Sequence, residues 1–542
     1  MQAPATATSS YNSITSVGAK IRTNDEQSNS TLRFGPLPSG WPSRRPPCHI
    51  DRLTNELLRL IFLQCTLDDF NDDDYYMDIV NIAHVCPRWH EVAIDCAQLW
   101  CRLDTSMSEK TAFWFLKNSN RLPLQVVAYC EEENQQISEP VRAVLYLADR
   151  IETLHIGGEA DFMHIFRAMR GAATHLRSLV IENTGETFKS IELPDSVFGA
   201  DRDESPLRHL RLHAMAVIPQ TASNHEFWMD VLCRLETFEW SMELHEPHDI
   251  KHLLSLAFEQ MIFLKSLHLI LEASSKDVFV ECPLSHVRPV LYELSFLFIK
   301  APAWLCVFIL GRLKIRSQTV VQTVCTDLSD ASPTSLHGLM WKLGNHLTRR
   351  ENHLCSILID ESASPRYKIA VWMQRSRGLG ATRYRYDELE QYAPAVNIGL
   401  QWPKDKKGEL CKTEDAFSEV MHTFSETITP FFVETLTIRL SATTKVHWRY
   451  LLCQADDVQT LKISCNGAMQ GLLDQTLDSG NPPETGMLRH LTRLHVVNDG
   501  KAPDENERLW ACGHVVWFYQ IEGTVLEVAC VRGVFWRLQG SN

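Results

Sequence analysis

The sequence predicts an α/β repeat protein, a small N-terminal helical block followed by an irregular solenoid of strand-plus-helix units. Three observations predict it. A short apolar phrase recurs from residue 151 to the last fifty residues. Its first six copies stand about 28 residues apart, the length of one strand-plus-helix unit. Ahead of them, helical-period leucines begin abruptly at Ile50 after a leader rich in Ser, Thr and Pro.

Composition limits what such a chain does. Its 542 residues are 44% hydrophobic and 22% charged, an ordinary globular mixture, and the formal net charge is −14. Coating nucleic acid or an anionic membrane runs on clustered positive charge, so this balance argues against both. The sixteen cysteines form no C-x-x-C pair and no regular framework, which fits free thiols in a reducing compartment. The first twenty residues lack the apolar core of a secretory signal. The greasiest stretch, 295–311, is interrupted by Lys300 and Pro302 and falls short of a bilayer span. These features predict a soluble protein of the cytoplasm or nucleus. Residues 1–47, closing on Pro36, Pro38, Pro42, Pro46 and Pro47, bury too little apolar surface to order and read as a disordered tail.

The helical block spans 48–104. Leu53, Leu57, Leu58, Ile61 and Phe62 have helical spacing, and Thr54 with Asn55 stands where an N-cap belongs, so a helix is expected to run to about Cys65. The acidic run from Asp68 to Asp74 has neither the glycine nor the terminal glutamate of a calcium loop and reads as a solvated insertion over 66–77. Helical pattern resumes at Ile79, and Cys86-Pro-Arg-Trp89 and Leu99-Trp100 follow. This order of residues resembles an F-box: Ile50-Asp-Arg-Leu53-Thr-Asn-Glu56-Leu57, then Ile61-Phe62, then Val85-Cys-Pro-Arg-Trp89, then Leu99-Trp100. The continuation through Trp114, Ser119 and Leu122-Pro-Leu124 is similar to mushroom-type fungal members. One departure is Thr54, where the family usually has a proline that preorganises the helix start and touches the partner. The resemblance implies a three-helix module docking a Skp-family adaptor, and through it a cullin. It assigns that contact to Leu53, Glu56, Leu57, Ile61, Val85, Trp89 and Trp100. Physically, so short a block carries more apolar surface than it can bury alone, and such surface is commonly completed by a partner. Residues 105–150 read as a helical and strand linker.

The repeat phrase places apolar residues at its first, fourth and sixth positions. It appears as Ile151-Glu-Thr-Leu154-His-Ile156, Leu176-Arg-Ser-Leu179-Val-Ile181, Leu207-Arg-His-Leu210-Arg-Leu212, Leu235-Glu-Thr-Phe238-Glu-Trp240, Leu264-Lys-Ser-Leu267-His-Leu269 and Leu291-Tyr-Glu-Leu294-Ser-Phe296. Further copies begin at Leu354, Val433, Val458 and Leu491, and degenerate ones are legible as Val321-Gln-Thr-Val324 and Ala393-Pro-Ala-Val396-Asn-Ile398. Positions four and six lie two apart, so on a strand they point together into the core, while three and five point the other way. The pattern looks like an irregular leucine-rich-repeat-like solenoid over 151–542, without the regular asparagine ladder of the consensus. Fifth-position residues then line its binding face, with His155, Arg211, Glu239, His268, Lys462 and His495 as candidates for holding a target protein. Val515 to Arg537 reads as apolar strands around Gly523 that cap the array.

Motifs for chemistry are sparse. No phosphate loop, nucleophile elbow or zinc helix occurs. The cluster His245, His248 and His252 has metal-like spacing, but Pro247 and Asp249 suit a helix start that separates His245 from the others, so it reads as surface histidines and implies no cofactor. Between Arg366 and Tyr386, five basic residues after Arg366 interleave with Tyr367, Trp372 and Tyr384, a composition that binds single-stranded nucleic acid in some proteins and forms a solvated loop in more. The expected function is therefore a non-catalytic substrate receptor of a Skp–cullin–F-box ubiquitin ligase, with a protein target. The alternative is a non-degradative scaffold built from the same parts.

Overall fold

The computed structural model describes residues 49–65, 75–105, 107–130, 139–158, 165–166, 169, 173–183, 189–190, 206–213, 215–216, 231–244, 261–273, 290–316, 318–326, 333–347, 352–363, 366–375, 396–401, 435–439, 458–464, 493–497, 526–530 and 534–538. The tail at 1–47, the histidine cluster at 245–252 and most of the acidic insertion lie outside them.

Helix α1 (Asn55–Cys65) starts where the N-cap signal put it, with the Leu57 amide donating to the Thr54 hydroxyl at 3.4 Å and the Leu58 amide to the Thr54 carbonyl at 3.1 Å. Helix α2 (Tyr75–His84) begins four residues before Ile79, so the acidic interruption is shorter than expected. In α3 (Pro87–Ile94) the first position is proline, whose missing N–H would be unpaired there in any case, and Cys86 Sγ accepts from the Trp89 amide. Arg88 ties α3 back to the start of α1 by donating to the Leu53 carbonyl and to Asn55 Oδ1. Leu58, Phe62, Ile79, Ala83, Val92 and Ala93 are buried between the three helices.

Among the described residues, the main sheet that follows the three helices has 17 strands, and two short parallel pairs, Lys189–Ser190 with Met215–Ala216 and Val290–Leu291 with Lys314–Ile315, lie outside it. The strands of the main sheet are β1 (Arg102–Asp104), β2 (Leu124–Cys130), β3 (Ile151–Gly158), β4 (Ser178–Asn183), β5 (His209–His213), β6 (Thr237–Leu244), β7 (Ser266–Ala273), β8 (Phe296–Ala301) and β9 (Val320–Cys325). Then follow β10 (Asn352–Ala363), β11 (Arg366–Arg375), β12 (Val396–Gln401), β13 (Thr435–Arg439), β14 (Thr460–Ser464), β15 (Arg493–Val497), β16 (Leu526–Cys530) and β17 (Val534–Leu538). From β1 to β9 each strand pairs in parallel with the next. The sheet thus begins at Arg102, and the segment expected as a linker supplies its second rung. Helix α4 (Glu109–Asn118), capped by Ser108, crosses from β1 to β2, and α5 (Glu139–Leu145) crosses from β2 to β3.

The register explains why the phrase repeats. Leu154, Leu179, Leu210, Phe238, Leu267, Leu297 and Val321 stand side by side on successive strands, and Ile156, Ile181, Leu212, Trp240, Leu269 and Ile299 form a second ladder beside them. Every one of these side chains is buried. Two copies are shifted by three residues from the sequence reading. In β8 the fourth position is Leu297, not Leu294, and in β9 it is Val321, not Val324. Helices α6 (Ala303–Arg312) and α7 (Pro333–Leu347) pack against each other, and α6 packs on β8 and β9.

After β9 the order changes. β12, not β10, pairs with β9, β11 runs antiparallel between β12 and β10, and β10 pairs in parallel with β13. Parallel pairing then resumes through β14, β15 and β16, and β17 folds back antiparallel at the end. Of the capping segment expected over Val515 to Arg537, strands β16 and β17 fall within the described residues, and Gly523 lies outside them. The result is a parallel β-solenoid with a three-strand meander set into it in reverse order. Among the described residues, no helix is long and apolar enough to cross a membrane.

Candidate docking surfaces

Helix α1 has two apolar faces. Leu58 and Phe62, four apart, face the core and are buried, whereas Leu57, Leu60 and Ile61, at i, i+3 and i+4, lie on the opposite side with 47%, 63% and 42% of their surface exposed. Val85, in the turn that Arg88 holds beside the start of α1, is also exposed, as are Ile50 and Met77. Half of the twelve exposed large hydrophobics among the described residues thus belong to residues 50–85, a concentration within one short block. Such concentration marks an interaction surface.

Of the seven residues expected to contact an adaptor, Leu57, Ile61 and Val85 are presented to solvent, as is Glu56. Hydrogen bonds from its own backbone N–H and from Thr54 hold the Glu56 carboxyl below the usual carboxylate range. Leu53 and Trp89 are half-buried: the Trp89 ring lies tilted at 55° against Phe62 with ring centres 5.0 Å apart, and both residues pack on the core. Trp100 is a correction. It is wholly buried, donates from Nε1 to the Ala93 carbonyl at 2.9 Å, and sits edge-on to Trp114 and Phe115 at 4.3 and 4.9 Å. It shapes the block from inside and cannot touch a partner. Leu60 was missed, though a helix with apolar residues at 57, 58, 60, 61, 62 and 63 has too many for one buried face.

The second surface is the sheet face turned away from the core ladders, called the open face below. The register brings His155, Arg211, Glu239 and His268 to one level of β3, β5, β6 and β7, with Val180 of β4 among them, but His155 is a correction: it is buried, at 4% exposure, and so is not presented to a target. A chain of polar contacts crosses these strands. His155 Nε2 stands 3.3 Å from Glu182 Oε2, Arg211 reaches Glu182 Oε1 at 3.5 Å, and its Nε reaches Glu239 Oε1 at 3.4 Å. The hydrogen bond with His155, aided by the charge of Arg211, holds the Glu182 carboxyl below its ordinary range against the opposing effect of burial. His268 packs between Phe296 and Phe298, and burial lowers its affinity for a proton.

Glu182 makes this network acid-sensitive. Its lowered value means that its stabilising contribution is present above the ordinary carboxylate range and is lost as pH falls through the folded value. Glu182→Gln should therefore flatten the fall in melting temperature below about pH 4. An unchanged acid limb in thermal melts would show that the contacts carry no net stabilisation.

Two glycines seat the start of the network. A Cβ on Gly157 would lie 2.3 Å from the Tyr129 ring, which packs edge-on to His155 at 5.3 Å, and Gly158 has φ of 123°, a region that L side chains rarely adopt. Gly158→Ala is expected to lower stability by about 1–3 kcal/mol, read by urea denaturation. Gly157→Ala should instead displace Tyr129, visible as increased tyrosine quenching.

Lys462 and His495 are neighbours in register on β14 and β15, but seven strands from β7, roughly 34 Å at ordinary strand spacing. They do not join the first cluster. Beside them Thr435, Thr437 and Thr460 are buried, so at β13 and β14 the same face is covered. The basic and aromatic run is also corrected in part: 366–375 is strand β11, not loop. In register, Lys368 of β11 pairs with Asp360 of β10, and Asp360 pairs with Arg439 of β13; residues 376–386 of the run lie outside the described residues. No group of three His, Cys, Asp or Glu among the described residues could hold a metal.

No protein-family model matches the sequence, and no curated protein is similar to it. Among solved structures, the crystal structure of the Rad7 and Elc1 complex in yeast matches at 10% identity over 83% of this chain and 91% of that one, with a TM-score of 0.27. A score that low does not establish a shared fold.

Proposed function

We propose that this chain is the substrate-recognition subunit of a Skp–cullin–F-box type ubiquitin ligase. In this reading 48–104 is an F-box that docks a Skp-family adaptor, and the leucine-rich-repeat-like array holds a target protein. The observation that carries it is the outer face of α1, where Leu57, Leu60 and Ile61 stand exposed beside Val85 on a block whose opposite face is fully packed. The chain would supply no nucleophile. It would hold the target near a charged conjugating enzyme, and proximity alone removes much of the entropic barrier to a bimolecular transfer.

Capture of the full-length chain by a purified Skp-family adaptor tests the docking. Capture by wild type that is lost in Leu57→Ser/Leu60→Ser supports the reading, and absence of capture by wild type overturns it. Co-purification of a cullin then separates a ligase receptor from a scaffold that uses the same fold without assembling a ligase.

A further inference from the structure

A third surface stands apart from both of these, at the rim where the strands begin. Leu264 of one repeat and Leu294 of the next are equivalent, because Leu267 pairs with Leu297. The turn residues two before them, Ile262 and Tyr292, therefore occupy the same position on adjacent rungs, and neighbouring rungs are about 4.8 Å apart. Phe263 follows Ile262. All three are large and apolar, yet 48%, 54% and 54% exposed. The equivalent residues are Cys233 one rung before and Arg316 one rung after, so the apolar row is confined to two rungs.

Its border is basic. Arg234 stands at the position of Phe263 on the preceding rung, and Lys314 and Arg316 flank the other end, with the Arg316 guanidinium 5.9 Å from the Tyr292 ring centre. Lys265 is neutralised by Glu236 at 2.7 Å, leaving Glu293 as the opposing charge. Among the described residues, three cations against one carboxylate form a positive border in a chain whose net charge is −14. Soluble proteins rarely leave such rows uncovered, and a polar border around an apolar centre is the usual anatomy of a contact site.

We propose that this rim binds an acidic segment of another protein, one that carries aliphatic or aromatic side chains between its carboxylates. The apolar side chains would cover Ile262, Phe263 and Tyr292 while the carboxylates meet Arg234, Lys314 and Arg316. The inference rests on the reading that the array holds a protein target, and adds a contact outside the open face.

The test uses the full-length chain and two fluorescent peptides of equal length, one of Asp, Glu, Leu and Phe, the other with Lys in place of every acid. The acidic peptide should bind in preference, more weakly at raised salt, and at least about ten-fold more weakly to Ile262→Ser/Phe263→Ser/Tyr292→Ser. These side chains are exposed, so that variant should melt as wild type does. Arg234→Glu/Arg316→Glu, which leaves the apolar row intact, should reverse the preference. Equal binding of both peptides, binding of neither, or capture by anionic lipid vesicles but not by the acidic peptide would overturn the proposal. Adaptor capture, measured on the same preparations, is expected to be unaffected by either variant, so failure here leaves the ligase reading standing and failure there leaves this one.

Discussion

Trp100→Ala is expected to cost about 3–5 kcal/mol of stability, the range for emptying a buried aromatic site. The side chain has no exposed surface, its indole N–H is bonded to the Ala93 carbonyl, and its ring joins the helical block to Trp114 and Phe115 of α4. Removing it leaves a cavity at the seam between helices and sheet and takes one of two hydrogen bonds from the Ala93 carbonyl, which keeps the one donated by the Cys96 amide at 3.1 Å. Natural proteins have about 5–15 kcal/mol in hand, so the variant should unfold at much lower urea. Trp100→Phe should recover part of the loss by refilling the cavity without restoring the hydrogen bond. A midpoint unchanged in Trp100→Ala would mean that the seam carries no packing energy.

The second large effect contrasts two leucines of one helix. Leu58→Ala should destabilise by about 2–5 kcal/mol, because the residue is 1% exposed. Leu60→Ala, at 63% exposure, should leave stability within about 0.5 kcal/mol, the ordinary range for a surface change. Adaptor capture should show the opposite order. If the outer face of α1 is an interface, Leu60→Ala weakens capture sharply with an intact fold, whereas a stabilised background carrying Leu58→Ala still binds. Capture indifferent to Leu60 would remove α1 from the interface.

Much of the array was legible because its core obeys a period. Where one face is apolar and the other polar, as in His209–His213, the phrase has a single match and the structure places it there. The slip at β8 has a physical cause. Leu291, Leu294 and Phe296 fit the phrase, and so do Leu294, Leu297 and Ile299, because Phe296 and Phe298 make the open face of this strand apolar too. A period of two cannot be read when both faces are greasy. The same ambiguity affected α1, whose two apolar faces hid Leu60 behind the core residues. Trp100 was misassigned for another reason: a tryptophan near a helical block reads alike whether it completes the inside or the outside. The four candidates on β3 to β7 came together because parallel strands in register bring equal phrase positions side by side. Lys462 and His495 did not join them because the meander intervenes, and nothing in the local sequence of 352–401 announces which strand it will meet.

That meander alters how the chain must assemble. In a plain stack each unit touches only its sequence neighbours, so folding can start anywhere and spread like a zipper. Here β9 waits for β12, more than seventy residues downstream, while β10 waits for β13. Closing that loop costs entropy before any contact repays it, which slows this step relative to the local ones. The reversed strands therefore act as a clasp. The rungs from β1 to β9 can form as one cooperative unit during synthesis, but the later rungs gain a template only when residues 352–401 are all in place. A chain cut short inside that stretch would leave the free edge of β9 unpaired, a surface on which a second chain could grow.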